Sequence, residues 1–225
     1  FLFMAGGPSH LETFDPKPGT KTGGEFKAIE TRFKGAKFSE HLPLVADQAD
    51  KLAVIRSMTT KEGNHDRAGY LVHTGYAPST TLQHPSLGAW VSHELGDEAA
   101  ELPNFVSIRG PSVGAGFLGV QHSPFTIQKP AEGVRNLPLT RDVDAARFGR
   151  RLEAFATLQD SFRAETGRRE IAAHDVVYQK AVRLMRSPLV KAFDIKEEPQ
   201  AALEKYGDSD FGRGCLMARR LVESS

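Results

Sequence analysis

The sequence predicts an α/β fold, and three observations carry that prediction. Short apolar, β-branched runs alternate with amphipathic helical stretches over residues 1–139. The apolar runs stop at Gly, Pro and polar residues, as strands entering loops do. From Thr140 onward the pattern is helical, so residues 140–225 read as a mainly helical insertion or cap of the same domain.

"FLFMAGG" (1–7) reads as a buried strand, with two glycines turning the chain at its end. Residues 8–40 are rich in Pro and Gly and read as a long polar loop. "LPLVADQADK" suggests a short helix, and "LAVIRSM" (52–58) a second strand. Next, Asn64 is an N-cap candidate, Asp66 sits in the first turn and Gly75 marks a stop, which predicts a helix over 65–74. In "HPSLGAWVSHELG", Pro85 suits a first turn, Leu87, Trp90, Val91 and Leu95 share one face, and Gly96 ends the helix. "PNFVSIRG" (103–110) reads as a third strand, and 114–127 as loop and short strand. Thr140 is an N-cap candidate with Asp142 and Asp144 behind it. "AHDVVYQKAVRLM" and "CLMARRLVES" are amphipathic.

Composition narrows the function. The 225 residues are 40% hydrophobic and 25% charged, with a net charge of +1. That balance implies neither a nucleic-acid partner nor a charged membrane surface. Residues 141–186 hold ten basic and seven acidic side chains, a mixed solvated surface. The single cysteine, Cys215, excludes an internal disulfide framework. No run reaches membrane-spanning length and no secretory signal is visible. The abrupt start inside an apolar run suggests a piece of a longer chain.

Two constellations could carry chemistry. "SHLETFD" holds His10, Glu12 and Asp15 just past the first strand, residue types that suit a divalent transition metal. In an extended segment the spacing of two puts His10 and Glu12 on one side. A polar loop with turn hydrogen bonds is the plainer alternative. "GNHDRAG" sets Asn64, His65, Asp66 and Arg67 at a helix start, where free amides favour anions and an Arg adds a bidentate grip. His65 could ligate metal, transfer protons or attack. A capped helix with solvated polar residues is the alternative. His73 lies two helical turns from His65, too far to share a metal, and His93 reads as surface. No G-x-S-x-G elbow, P-loop, G-x-G-x-x-G loop or H-E-x-x-H is expected.

At "FMAGGPSHLETFDPKPG", "NHDRAGYLVHTGY", "HPSLGAWVSHELG" and "GCLMARRLVES" the chain resembles the DUF1501 family, over nearly its whole length. By similarity that family stands with the alkaline phosphatase and sulfatase-like hydrolases. The resemblance implies an alkaline phosphatase-like α/β/α sandwich, of which this chain is the N-terminal part. It also implies a strand-end acid on a metal and a nucleophile at a helix start. Relatives usually carry Asp where this chain has Glu12. Sulfatases and alkaline phosphatases carry their Cys, Ser or Thr nucleophile about nine residues before a Thr-Gly pair that ends the helix. Counting back from Thr74-Gly75 reaches His65, and no hydroxyl or thiol lies between Lys61 and Arg67.

The expectation is therefore an exported, metal-dependent hydrolase of phosphate or sulfate esters. His65 is the catalytic candidate, Asn64 and Arg67 are anion contacts, and His10, Glu12 and Asp66 are metal ligands. The metal would be zinc, manganese, iron or calcium. The substrate would be a small-molecule or polysaccharide ester, and the rest of the parent chain would complete the domain. The competing expectation is a catalytically inactive exported or cell-surface binding protein that keeps the fold.

Overall fold

In the computed structural model, residues 1–4, 6–110, 113–166 and 169–225 are described. The chain divides into two compact units, Phe1–Gly69 and Tyr70–Ser225.

The first unit is built on a hairpin. Strand β1 (Ala28–Glu30) pairs antiparallel with β2 (Lys37–Ser39), with Ile29 opposite Phe38. The Thr31 hydroxyl closes the connection against the carbonyls of Phe33 and Ala36, and Gly35 adopts a left-handed backbone (φ +87°) that a larger residue would resist. Phe38 is 1% exposed and packs on Ala46, Ala49, Phe14, Ile29 and Val45. The Phe14 and Phe38 rings meet edge to face at 5.1 Å. Helix α1 (Pro43–Ala46) and a 3-10 turn (Ala49–Lys51) complete this cluster, so the helix expected from 42–51 is broken in two.

Three sequence expectations fail in this unit. Residues 8–40 are not all loop, because they contain the hairpin. Neither 1–7 nor 52–58 is strand among the described residues, and Ala5 lies outside them. Phe1 is 79% exposed, and Leu2, Met4, Leu52, Val54, Ile55 and Met58 are exposed with it. Apolar, β-branched composition makes a strand only where a second backbone supplies a ladder, and neither run has one here.

The second unit has the larger core. Strands β3 (Val106–Ile108) and β4 (Phe125–Ile127) pair in parallel, inside the regions where strands are expected. Against them pack Leu184, Phe193, Ile195, Leu216 and Met217, all buried. Helices α2 (His65–Thr74), α3 (Leu87–Glu94), α4 (Ala145–Thr166), α5 (Arg169–Arg186), α6 (Gln200–Tyr206) and α7 (Asp210–Ser224) follow in order, α2 beginning in the first unit. Gly214 of α7 lets the helix approach β3: a methyl there would sit 3.2 Å from the Ile108 side chain. No helix among the described residues is long and apolar enough to cross a membrane.

Local signals shift two helix starts. Pro85 precedes α3 rather than sitting in its first turn, and Ser86 caps the helix by accepting from the Ala89 amide. Asp144, not Thr140, accepts from the Arg147 amide at the start of α4. The face of α3 is also reversed. Ala89 and Ser92 are buried, while Leu87, Val91 and Leu95 are exposed. Small residues allow close approach of the helix backbone, and Gly88 leaves no room for a side chain beside the Phe105 ring. The chain is thus mixed α/β, mainly helical, with two small sheets among its described residues.

Candidate functional site

Helix α2 starts and stops where its sequence says. The Asn64 side-chain oxygen accepts from the amides of Asp66 (3.0 Å) and Arg67 (3.2 Å). This caps two of the helix's first free N–H groups. At the other end the buried Thr74 hydroxyl donates to the Tyr70 carbonyl (2.8 Å). Gly75, at φ +79°, turns the chain away.

His65 is the first residue of α2 and is exposed. Its imidazole lies against Gly7: a methyl on Gly7 would stand 3.6 Å from the ring's Cε1 and 3.7 Å from Nδ1. Gly7 has φ +65°. It therefore meets one demand, a left-handed turn, since a methyl there would make only ordinary contact with the ring. Through Gly7, the loop after the first apolar run and the start of α2 are in contact.

The other candidates are arranged less simply. His10 and Glu12 occupy a 3-10 turn (His10–Glu12), with the Ser9 hydroxyl oxygen accepting from the Leu11 amide. The segment is not extended, so the spacing of two no longer aligns their side chains. The turn is tied to the hairpin, because the Ser39 amide donates to the Thr13 carbonyl (2.8 Å). Glu12 reaches toward Gly24, its Oε1 3.8 Å from where a methyl would stand. Asp15, buried, is taken up by Lys17 (2.7 Å) and Arg56 (3.5 Å). The Lys17 hydrogen bond, with the nearby charges of Lys17, Arg56 and His10, holds its carboxyl below the usual value, against the opposing effect of burial.

Arg67 is engaged within the chain. Its Nε donates to Glu62 Oε2 (2.8 Å) and its Nη2 to Oε1 (2.7 Å). This bidentate bond raises the guanidinium's pKa and lowers that of Glu62. Sequence reasoning did not anticipate Glu62. Asp66 is exposed on the first turn. Among the described residues, no group of three or more His, Cys, Asp or Glu could hold a metal ion.

Two further features escaped the sequence. The His93 and His122 rings lie 4.9 Å apart. His93 is exposed with Nδ1 2.8 Å from Glu94, and Ser92 Oγ is 3.4 Å from His122 Nδ1. Burial, then the neighbouring His93 and Lys180, push the His122 pKa down. The expectation of no G-x-G-x-x-G run is corrected: Gly114, Gly116 and Gly119 have that spacing, but they lead into 3-10 turns (Gly116–Leu118 and Val120–His122), not a helix.

These observations define a mixed α/β chain whose candidate residues gather around one loop and one helix start. The family model "Protein of unknown function (DUF1501)" matches residues 1–225. The chain belongs to the DUF1501 family. No curated protein and no solved structure matches it.

Proposed function

We propose that this chain is the N-terminal part of an exported hydrolase of phosphate or sulfate esters, built on an alkaline phosphatase-like sandwich, with His65 as the reacting group. The contact of the His65 imidazole with Gly7 carries this reading. It sets an accessible imidazole at a helix start beside the loop that follows the first apolar run. In the reaction a ring nitrogen attacks phosphorus or sulfur and the ester P–O or S–O bond breaks. The alcohol leaves with a proton, and water then cleaves the bond to nitrogen. A divalent metal belongs to this reading, but His10, Glu12 and Asp66 do not make a three-ligand site among the described residues. No step is therefore assigned to a metal.

The test is turnover of 4-nitrophenyl phosphate and 4-nitrophenyl sulfate, with zinc, manganese, iron or calcium added and bound metal measured. The reading expects turnover of one ester, lost in His65→Ala, and an acid-labile adduct on His65. A folded, full-length parent protein that turns over neither ester under any of these conditions sinks it.

A second reading, a non-catalytic exported or cell-surface binding protein, has its own support. Arg67 is already gripped by Glu62, and the Asn64 oxygen is spent on the helix cap. Saturable binding of an ester that is never cleaved would select it.

A further inference from the structure

Between α4 and α5 in the second unit lies a cleft of about 570 Å³, within the size range of small-molecule sites. Its floor is apolar: Leu152, Phe155 and Ala156 come from α4, and Tyr178 and Val182 from α5. The Phe155 and Tyr178 rings lie 4.8 Å apart, tilted by 45°.

The polar groups around this floor are unequally occupied. Arg183 donates to the backbone carbonyls of Glu98 and Ala100. Glu101 accepts from the Ser187 hydroxyl, and Asp175 accepts from the Gln179 amide at 3.1 Å. Both acids of the cleft therefore have partners. Arg186 lines the same cleft with no hydrogen-bond or ion-pair partner among the described residues. Among the described residues, the cleft thus offers one uncommitted cation above an apolar floor. A guanidinium's planar fork matches a carboxylate in two parallel hydrogen bonds.

We infer that this cleft binds an amphipathic carboxylate, its head on Arg186 and its apolar chain over Leu152, Phe155 and Val182. The site uses none of the residues assigned to ester hydrolysis, so it stands or falls separately.

Calorimetry on the intact chain with decanoate, and with decylamine as a cation of the same tail, tests it. Decanoate binds with one-to-one saturation and decylamine does not. Arg186→Gln weakens decanoate by about tenfold or more, the loss of a charge-assisted hydrogen bond. Ala156→Trp, which fills the floor from a solvent-exposed position, abolishes binding with the helical circular dichroism unchanged. Equal binding of the two amphiphiles overturns the inference. So does decanoate binding that survives Arg186→Gln at full strength, or a folded wild type that binds no decanoate. Arg186 is exposed on its helix, so its variant folds and decides the matter even where Ala156→Trp does not.

Discussion

The two units spend their apolar residues differently. In Tyr70–Ser225 the apolar side chains of β3, β4, α5 and α7 converge, and Phe193 and Met217 are 1% and 0% exposed. Among the described residues of Phe1–Gly69 the buried apolar cluster is Phe38, Ala46 and Ala49, while most side chains of the two most strand-like runs lie exposed. Yet every residue proposed for ester hydrolysis, His10 through Arg67, falls in the first unit. Chemistry-bearing residues and core-forming residues are thus concentrated in different parts of one chain. The former sit in a 3-10 turn and at a helix start, on the ends of elements rather than in packed interiors.

The largest expected effect tests that division directly. Phe193→Ala removes the central ring of the second core and costs about 3–5 kcal/mol, as does Phe38→Ala in the first. Hydrogen exchange separates them. Phe193→Ala strips protection from Phe125–Ile127 and α7, and Phe38→Ala from Ala28–Glu30 and Lys37–Ser39. If either substitution unprotects both sets equally, the chain does not behave as two units.

Acid sharpens the comparison. Glu198 accepts from Arg220 (2.6 Å) and from Arg219. The Arg220 hydrogen bond leads in holding its pKa below the usual value. A carboxylate whose pKa is lowered by folding contributes stability above its unfolded pKa. That contribution is lost as pH falls through the lowered folded value. Asp15 obeys the same sign in the first unit, through Lys17. In acid titrations followed by exchange, Glu198→Gln flattens the response of α7 and Asp15→Asn that of the hairpin. A profile unchanged by either variant would remove the matching carboxylate from the account.

How much of this was legible in the sequence follows the range of each interaction. Helix α2 could be read from Asn64, Asp66 and Gly75, because caps act within a few residues. Its expected span matches the observed His65–Thr74. Strands depend on partners far along the chain. Runs 1–7 and 52–58 have strand composition without a ladder, while the three-residue strands at Ala28 and Lys37 have no marked pattern and pair through the burial of Phe38. At the site, sequence pointed to the helix start with its histidine. It did not reveal that Arg67 is turned back on Glu62, since that depends on the bend between them. It also did not reveal that Gly7 faces His65, a contact between residues 58 positions apart (65 minus 7).

The smallest effects fall on α2, where position and chemistry can be separated. Asn64→Ala removes the cap and costs about 1 kcal/mol. Asn64→Asp keeps an accepting oxygen and restores that stability, while setting a negative charge where an ester anion would approach. His65→Ala is exposed and changes stability by no more than about 0.5 kcal/mol. A hydrolase with its reacting group here loses turnover in His65→Ala and in Asn64→Asp, although neither variant is unstable. Asn64→Ala instead loses stability and keeps part of its turnover. If turnover follows melting temperature across the three variants, residues 64–65 are scaffold. If it breaks from that line at His65→Ala and Asn64→Asp, the exposed helix start in the poorly packed unit is where the chemistry happens.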